Sequence, residues 1–290
     1  MLSVIILTKN EEKMIGACLE SVKWADEIII ADNGSTDKTL EIIRSDKSLE
    51  SRVKVMKFAE QDFASLRNKA MEEAKGDWVL YVDADERVLE SLREEILKQA
   101  APERSEPRPW RVQDDVRLAQ DGCSAFAISR KNIIFGKEIS YGPYKKDWVI
   151  RLFRKKDFEK WTGKVHETPH FRGKLGYTKN SFLHLTHRNV DQFVLKSLEW
   201  SKIDAKLRLE SNHPKMSGWR FIRILITELW NQGIARRGFF NGTVGAVDSI
   251  LQAFSMYITY VRLWELQQEK PLEKVYEEID KKLIESGFKH

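Results

Sequence analysis

The stretch WVLYVDADERV, residues 78–88, runs from an apolar segment straight into Asp83, Asp85 and Glu86. Two ionised carboxylates ~5–7 Å apart in a medium of effective dielectric ~20 repel by roughly 2–3 kcal/mol. A chain that gathers three of them needs compensation. Hard oxygen ligands in incomplete number suit Mg²⁺ or Mn²⁺, which takes its remaining oxygens from a phosphorylated ligand. Such a metal offsets the repulsion and neutralises charge on a departing phosphate. The alternative is a solvated turn in which Asp85 or Glu86 caps the helix beginning near Val88. Asp32, just before NGS, has a similar alternative as a turn former.

The elements that must position these groups alternate between strand and helix. LSVIIL (2–7), EIIIAD (27–32), VKVMKF (53–58) and WVLYVD (78–83) read as strands, and helices are predicted over 11–22, 37–44 and 63–74. Thr8 and Glu11 have capping-box spacing, Asn10 is a good N-cap, and Ser35 or Thr36 can cap the second helix. Near-continuous apolar strands between amphipathic helices predict an α/β fold with a mostly parallel sheet covered on both faces. Such sheets bind ligands beyond the carboxyl ends of their strands. Those ends carry Thr8 to Glu11, Asp32 to Asp37 and Asp83 to Glu86. They are expected to meet in one crevice, with the strands ending in Asp32 and Asp83 side by side.

After a charged, proline-punctuated excursion over 101–120, CSAFAISR (123–130) and WVIRLFRK (148–155) read as strands, with GPYKKD as a loop between them. From about Val190 the pattern is helical to the end, which divides the chain into a domain over 1–189 and a helical region over 190–290. The 290 residues carry 49 basic and 44 acidic side chains, a net charge of +5. That mild, dispersed excess does not favour nucleic acid as a partner and permits contact with an anionic membrane or phosphorylated ligands. The two cysteines, Cys18 and Cys123, have no metal-ligand spacing, so a reducing compartment, the cytoplasm, is the simpler expectation. The opening LSVIIL is read as a strand, and no segment approaches the ~20 apolar residues of a transmembrane helix.

SVIILTKNEE, EIIIADNGSTDKT, LRNKAMEEAKGDWVLYVDADERV, KDWVIRLFRK and GKVHE, in this order over about 2–190, resemble the segments of family 2 inverting glycosyltransferases of the GT-A fold. The similarity is greatest to the branch like the lipopolysaccharide-core β-glucosyltransferases. It also gives GFFNGTVGA (238–246) a place as a glycine-rich turn between C-terminal helices. The resemblance implies a nucleotide-sugar donor and a glycan or glycolipid acceptor. It implies that Thr8, Asn10 and Glu11 line the nucleotide pocket, that Asp32 accepts a hydrogen bond from the base, and that Arg67 and Asn68 lie beside the nucleotide. Asp83 would contact ribose or metal, and Asp85 would be the principal metal ligand. Asn33 departs from the family, where many relatives carry Asp or Ser.

An inverting transfer needs a carboxylate that deprotonates the acceptor hydroxyl. The candidates are Glu167 in GKVHE and Asp147 in KKDW; the resemblance favours Glu167, with His166 as metal ligand or orienter. His184 and His187 in FLHLTHRN read as helix or loop residues that can reach a metal. Arg151 and Arg154 can compensate phosphate charge or form surface ion pairs. Tryptophans 200, 219, 230 and 264 sit among cations on the C-terminal helices, a composition suited to the inner face of a membrane, to packing on the catalytic domain, or to a second subunit. A nucleotidyltransferase is disfavoured because the loop after the first strand is TKNEE, without glycine or arginine. A noncatalytic nucleotide-sugar-binding scaffold stays open, as do the oligomeric state and the sugar transferred.

Overall fold

The structure, a computed structural model, describes residues 1–58, 63–101, 122–163 and 167–287. The chain divides into two units, one from Met1–Ile133 with Tyr144–Thr186 and the other from Ile134–Pro143 with the chain from His187 onward. The charged excursion from residue 102 lies outside the described residues.

In the first unit every residue of β1 (Leu2–Thr8) is buried, because both faces of its sheet are covered. Alternation along the strand sends Val4 and Ile6 into one apolar layer with α1 (Ile15–Val22), α2 (Thr39–Ser45) and α4 (Glu90–Ala100). Ile5 and Leu7 enter the opposite layer with α3 (Phe63–Glu73). β2 (Glu27–Asp32) and β4 (Trp78–Asp83) both pair in parallel with β1, and β3 (Val53–Lys57) pairs in parallel with β2. The strands ending in Asp32 and Asp83 are therefore not adjacent as expected; β1 lies between them.

Beyond β4 the sheet continues through β8 (Trp148–Arg154), β6 (Cys123–Ile134), β11 (Lys174–Thr186) and the short β5 (Glu86–Arg87). β8 is antiparallel to both β4 and β6, so β6 runs in the direction of β4. Glu95 of α4 pins β11 by accepting the N–H groups of Lys179 (2.8 Å) and Asn180 (2.9 Å). β9 (Phe158–Thr162) and β10 (Thr168–Phe171) form a separate antiparallel hairpin. His184 lies on β11, a strand where the sequence suggested helix or loop.

The expected helix caps do not form. α1 starts at Ile15, and Asn10 adopts a left-handed conformation (φ 56°) outside it. The loops after β1 and β2 bind each other instead: Ser35 Oγ accepts from Asn10 N (2.9 Å), Asn10 Oδ1 from Thr36 N (2.8 Å), Thr39 Oγ1 from Glu11 N (2.7 Å), and Asp37 from Glu12 N (3.1 Å). Asp37 also accepts the Thr39 N–H (2.9 Å) at the start of α2, whose N-cap is Lys38 and not Ser35 or Thr36.

The second unit contains β7 (Lys137–Ile139) and the helices α5 (Val190–Glu210), α6 (Gly218–Leu229), α7 (Gly242–Leu266) and α8 (Leu272–Glu285). Asn189 caps α5 by accepting from Gln192 N (2.8 Å). Ala205, Met216, Ile224 and Leu263 form its core, and Arg208 stacks on Tyr260, 4.7 Å from the ring centre. The glycine-rich turn expected between C-terminal helices is present at Gly238–Phe240, between α6 and α7. It lies against α7 because Gly245 has no side chain; any Cβ there would collide with the Gly238 carbonyl.

Candidate active site

β4 delivers Asp83 to the edge of the sheet, and the register of β8 decides what it meets. Leu80 pairs with Leu152 and Trp78 with Arg154, so Arg151 arrives near the carboxyl end of β4 while Arg154 stays at its start, over the Trp78 ring. Arg151 Nη2 donates to Asp83 Oδ2, and Arg67 Nη2 donates to Oδ1 at 3.1 Å. Arg130 Nη2 is 3.4 Å from Oδ2. Burial pushes the Asp83 carboxyl up, but Arg151, Arg67 and Arg130 outweigh it and hold the group well below the ordinary carboxylate range.

Glu86 is completely buried. Its Oε1 accepts from Arg130 Nε (2.7 Å) and its Oε2 from the Asp83 N–H (2.9 Å). Neither Asp85 nor Glu86 caps α4, whose N-cap is Leu89, so the solvated-turn alternative does not describe this segment. Arginine compensates the repulsion for Asp83 and Glu86.

Asp85 faces elsewhere. Its carbonyl accepts the Leu185 N–H (2.8 Å), and β5 pairs Glu86 with His184, so the acidic turn is laced to β11. His184 Nε2 lies 3.4 Å from Asp85 Oδ2. The other ring nitrogen, Nδ1, is 2.6 Å from Asn132 Oδ1, and Asn132 Nδ2 donates to Asp147 Oδ2 at 3.0 Å. An amide oxygen only accepts, so Nδ1 carries the hydrogen, and Nε2 is the ring nitrogen that faces Asp85. Asp147, at the entrance to β8, is also 3.9 Å from Arg130 Nη1, and its carbonyl accepts the Arg130 N–H (2.9 Å). The result is one chain of contacts, Asp85–His184–Asn132–Asp147. Among the described residues no group of three His, Cys, Asp or Glu side chains is arranged to hold a metal.

The remaining expected residues have varied surroundings. Thr8 ends β1 with its hydroxyl buried, and Asp32 is buried with its carboxylate accepting the Ser35 N–H (3.1 Å). The Arg67 guanidinium lies against both rings of an edge-on pair, 5.4 Å from the centre of Tyr81 and 5.0 Å from that of Trp161. Asn68 uses its whole amide on one backbone residue, donating to Trp161 O (3.0 Å) and accepting from Trp161 N (2.7 Å). Glu167 belongs to the loop of the β9–β10 hairpin, whose strands pair with each other and not with the large sheet, and His166 lies outside the described residues. His187 belongs to the second unit and packs on Phe193. Sequence reasoning missed Arg130 and Asn132. Their signal was available, since both are polar side chains near the carboxyl end of an apolar strand, where α/β sheets bring functional groups.

The family model "Glycosyl transferase family 2" matches residues 3–106. An uncharacterized glycosyltransferase of Rickettsia typhi, RT0209, is 30% identical over 278 residues, spanning 91% of this chain and 87% of the relative. The chain belongs to glycosyl transferase family 2. This transferase is also 27% identical to the lipopolysaccharide core biosynthesis glycosyltransferase LpsC of Rhizobium meliloti, over 88% of the chain and 92% of the relative. Among solved structures, the mannosyltransferase PcManGT of Pyrobaculum calidifontis, in complex with GDP-Man and Mn²⁺, is similar with a TM-score of 0.46 at 12% identity, covering 92% of this chain and 88% of that one.

Proposed function

We propose that this glycosyltransferase moves a sugar from a UDP-sugar to a hydroxyl of a lipid-linked glycan, with inversion at the anomeric carbon. The observation that carries the proposal is the contact chain Asp85–His184–Asn132–Asp147 at the edge of the sheet. Asp85 and His184 would hold Mg²⁺ or Mn²⁺. The donor set fits, because a metal-binding imidazole characteristically gives its other N–H to a carbonyl or carboxylate, as His184 gives Nδ1–H to Asn132. When bound, such a cation neutralises negative charge on the departing diphosphate.

Asp147 takes the proton from the acceptor hydroxyl as that oxygen attacks the anomeric carbon. Asn132 fixes its carboxylate relative to His184. The family resemblance favours Glu167 for this role, but the contact chain favours Asp147. Thr8, Asn10 and Glu11 line the nucleotide pocket, and Asp32 accepts from the imide of uracil. Asp83, committed to three guanidiniums, orients Arg67 and Arg151 instead of ligating metal, and Asn68 braces α3 against β9.

Likeness to LpsC supports a growing lipopolysaccharide core as the acceptor. A lipid-linked acceptor in turn supports work at the inner face of the cytoplasmic membrane. The test is incubation with a panel of UDP- and GDP-sugars and Mn²⁺, measuring free nucleotide diphosphate. Release with one donor, lost in Asp85→Ala, is expected. If no donor is consumed and none raises the melting temperature, the proposal fails.

A further inference from the structure

Helix α6 (Gly218–Leu229) buries one apolar side chain, Ile224, with Phe221 packed against the core of the second unit on the same side. Its other apolar side chains do not follow. At 100° per residue, Leu225, Leu229, Ile222, Ile226, Trp219 and the adjoining Trp230 fall in a continuous arc of about 140° on the far side. Trp219 is 70% exposed, Ile222 53%, Ile226 62% and Trp230 64%. Just beyond, the turn at Gly238–Phe240 presents Phe240, 71% exposed. A water-facing helix surface is ordinarily polar, and a contiguous apolar face marks an interaction site.

The charge around this face selects the partner. Between residues 215 and 247 the chain carries Lys215, Arg220, Arg223, Arg236 and Arg237 against a single acid, Glu228. A second copy docked on this face would set those cations against its own. An anionic bilayer surface neutralises them. Tryptophan and arginine bordering an apolar arc is the composition of a helix lying in the headgroup layer. No helix among the described residues is long and apolar enough to cross a membrane.

We propose that the outer face of α6, with Phe240, inserts into the interface of a membrane rich in anionic phospholipid; the inference rests on the lipid-linked acceptor above for its purpose. The full chain should sediment with vesicles of phosphatidylethanolamine and phosphatidylglycerol and much less with phosphatidylcholine alone. Ile222→Ser combined with Ile226→Ser should lower partitioning about tenfold or more, and Arg223→Glu with Arg237→Glu should abolish the preference for anionic vesicles. Both variants should keep the wild-type melting temperature and donor hydrolysis. Wild-type protein that stays in the supernatant with anionic vesicles overturns the proposal. So does a wild-type dimer that the paired serine variant turns into monomer, because the face then belongs to a second copy. Hydrolysis read on the same samples keeps the two claims apart: vesicle binding without any donor turnover counts against the transferase chemistry alone.

Discussion

Arg151 donates from β8 into the carboxylate of Asp83 at the end of β4, and the antiparallel register of the two strands brings it there. Arg67 shares that carboxylate, and burial together with repulsion from Arg67 pulls the Arg151 guanidinium below its ordinary value, against the pull of Asp83. Removing the carboxylate leaves cations facing one another. Asp83→Asn should destabilise the protein by about 3 kcal/mol at neutral pH, read as a lower urea midpoint. Because the Asp83 carboxyl is held below its unfolded value, its contribution is fully present above about pH 4 and fades as pH falls below that range. The gap between wild type and variant should therefore narrow on acidification; an equal gap at pH 7 and pH 3 would contradict the assignment.

Asn132→Ala should weaken divalent-metal affinity about 10–100-fold, because it removes the acceptor that orients His184. Mn²⁺ titration of donor hydrolysis, with free Mn²⁺ followed by paramagnetic resonance, measures it. Unchanged affinity would separate His184 from the metal.

For Asp147→Asn, turnover should drop on the order of 10²–10⁴-fold while donor affinity is kept. Glu167→Gln should have a small effect, since Glu167 is in the β9–β10 hairpin loop. Single-turnover kinetics with the two variants side by side decides, and the opposite ranking would return the base to Glu167.

Asn68→Ala should cost roughly 2 kcal/mol, because two hydrogen bonds to Trp161 are lost together. Thermal unfolding reads this. Donor KM should stay near wild type at a temperature where the variant is folded; a large rise would make Asn68 a donor contact after all.

Much of the first unit was legible in the sequence. β2 and β4 occupy the segments read as strands, since EIIIAD and WVLYVD keep their charged residues at the ends and are buried in between. Strand order was not legible: β1 pairs on both sides, and no local pattern says that β2 and β4 share it. Asp83, Asp85 and Glu86 stood out as a cluster, yet their division of labour depends on partners far away in the chain. Arg130, Asn132 and His184 reach them through the registers of β6 and β11, which are set by packing across the sheet. Capping signals misled around Asn10 and Ser35 because the two loops satisfy each other's donors before either helix can use them.

That mutual binding has a consequence for whatever enters beside Thr8 and Asp32. At least six hydrogen bonds tie 10–12 to 35–39, so the two segments rearrange in concert or stay put. The pair is preorganised: the entropy of immobilising it is already lost when the chain folds, and a nucleoside bound there as proposed has less disorder to overcome.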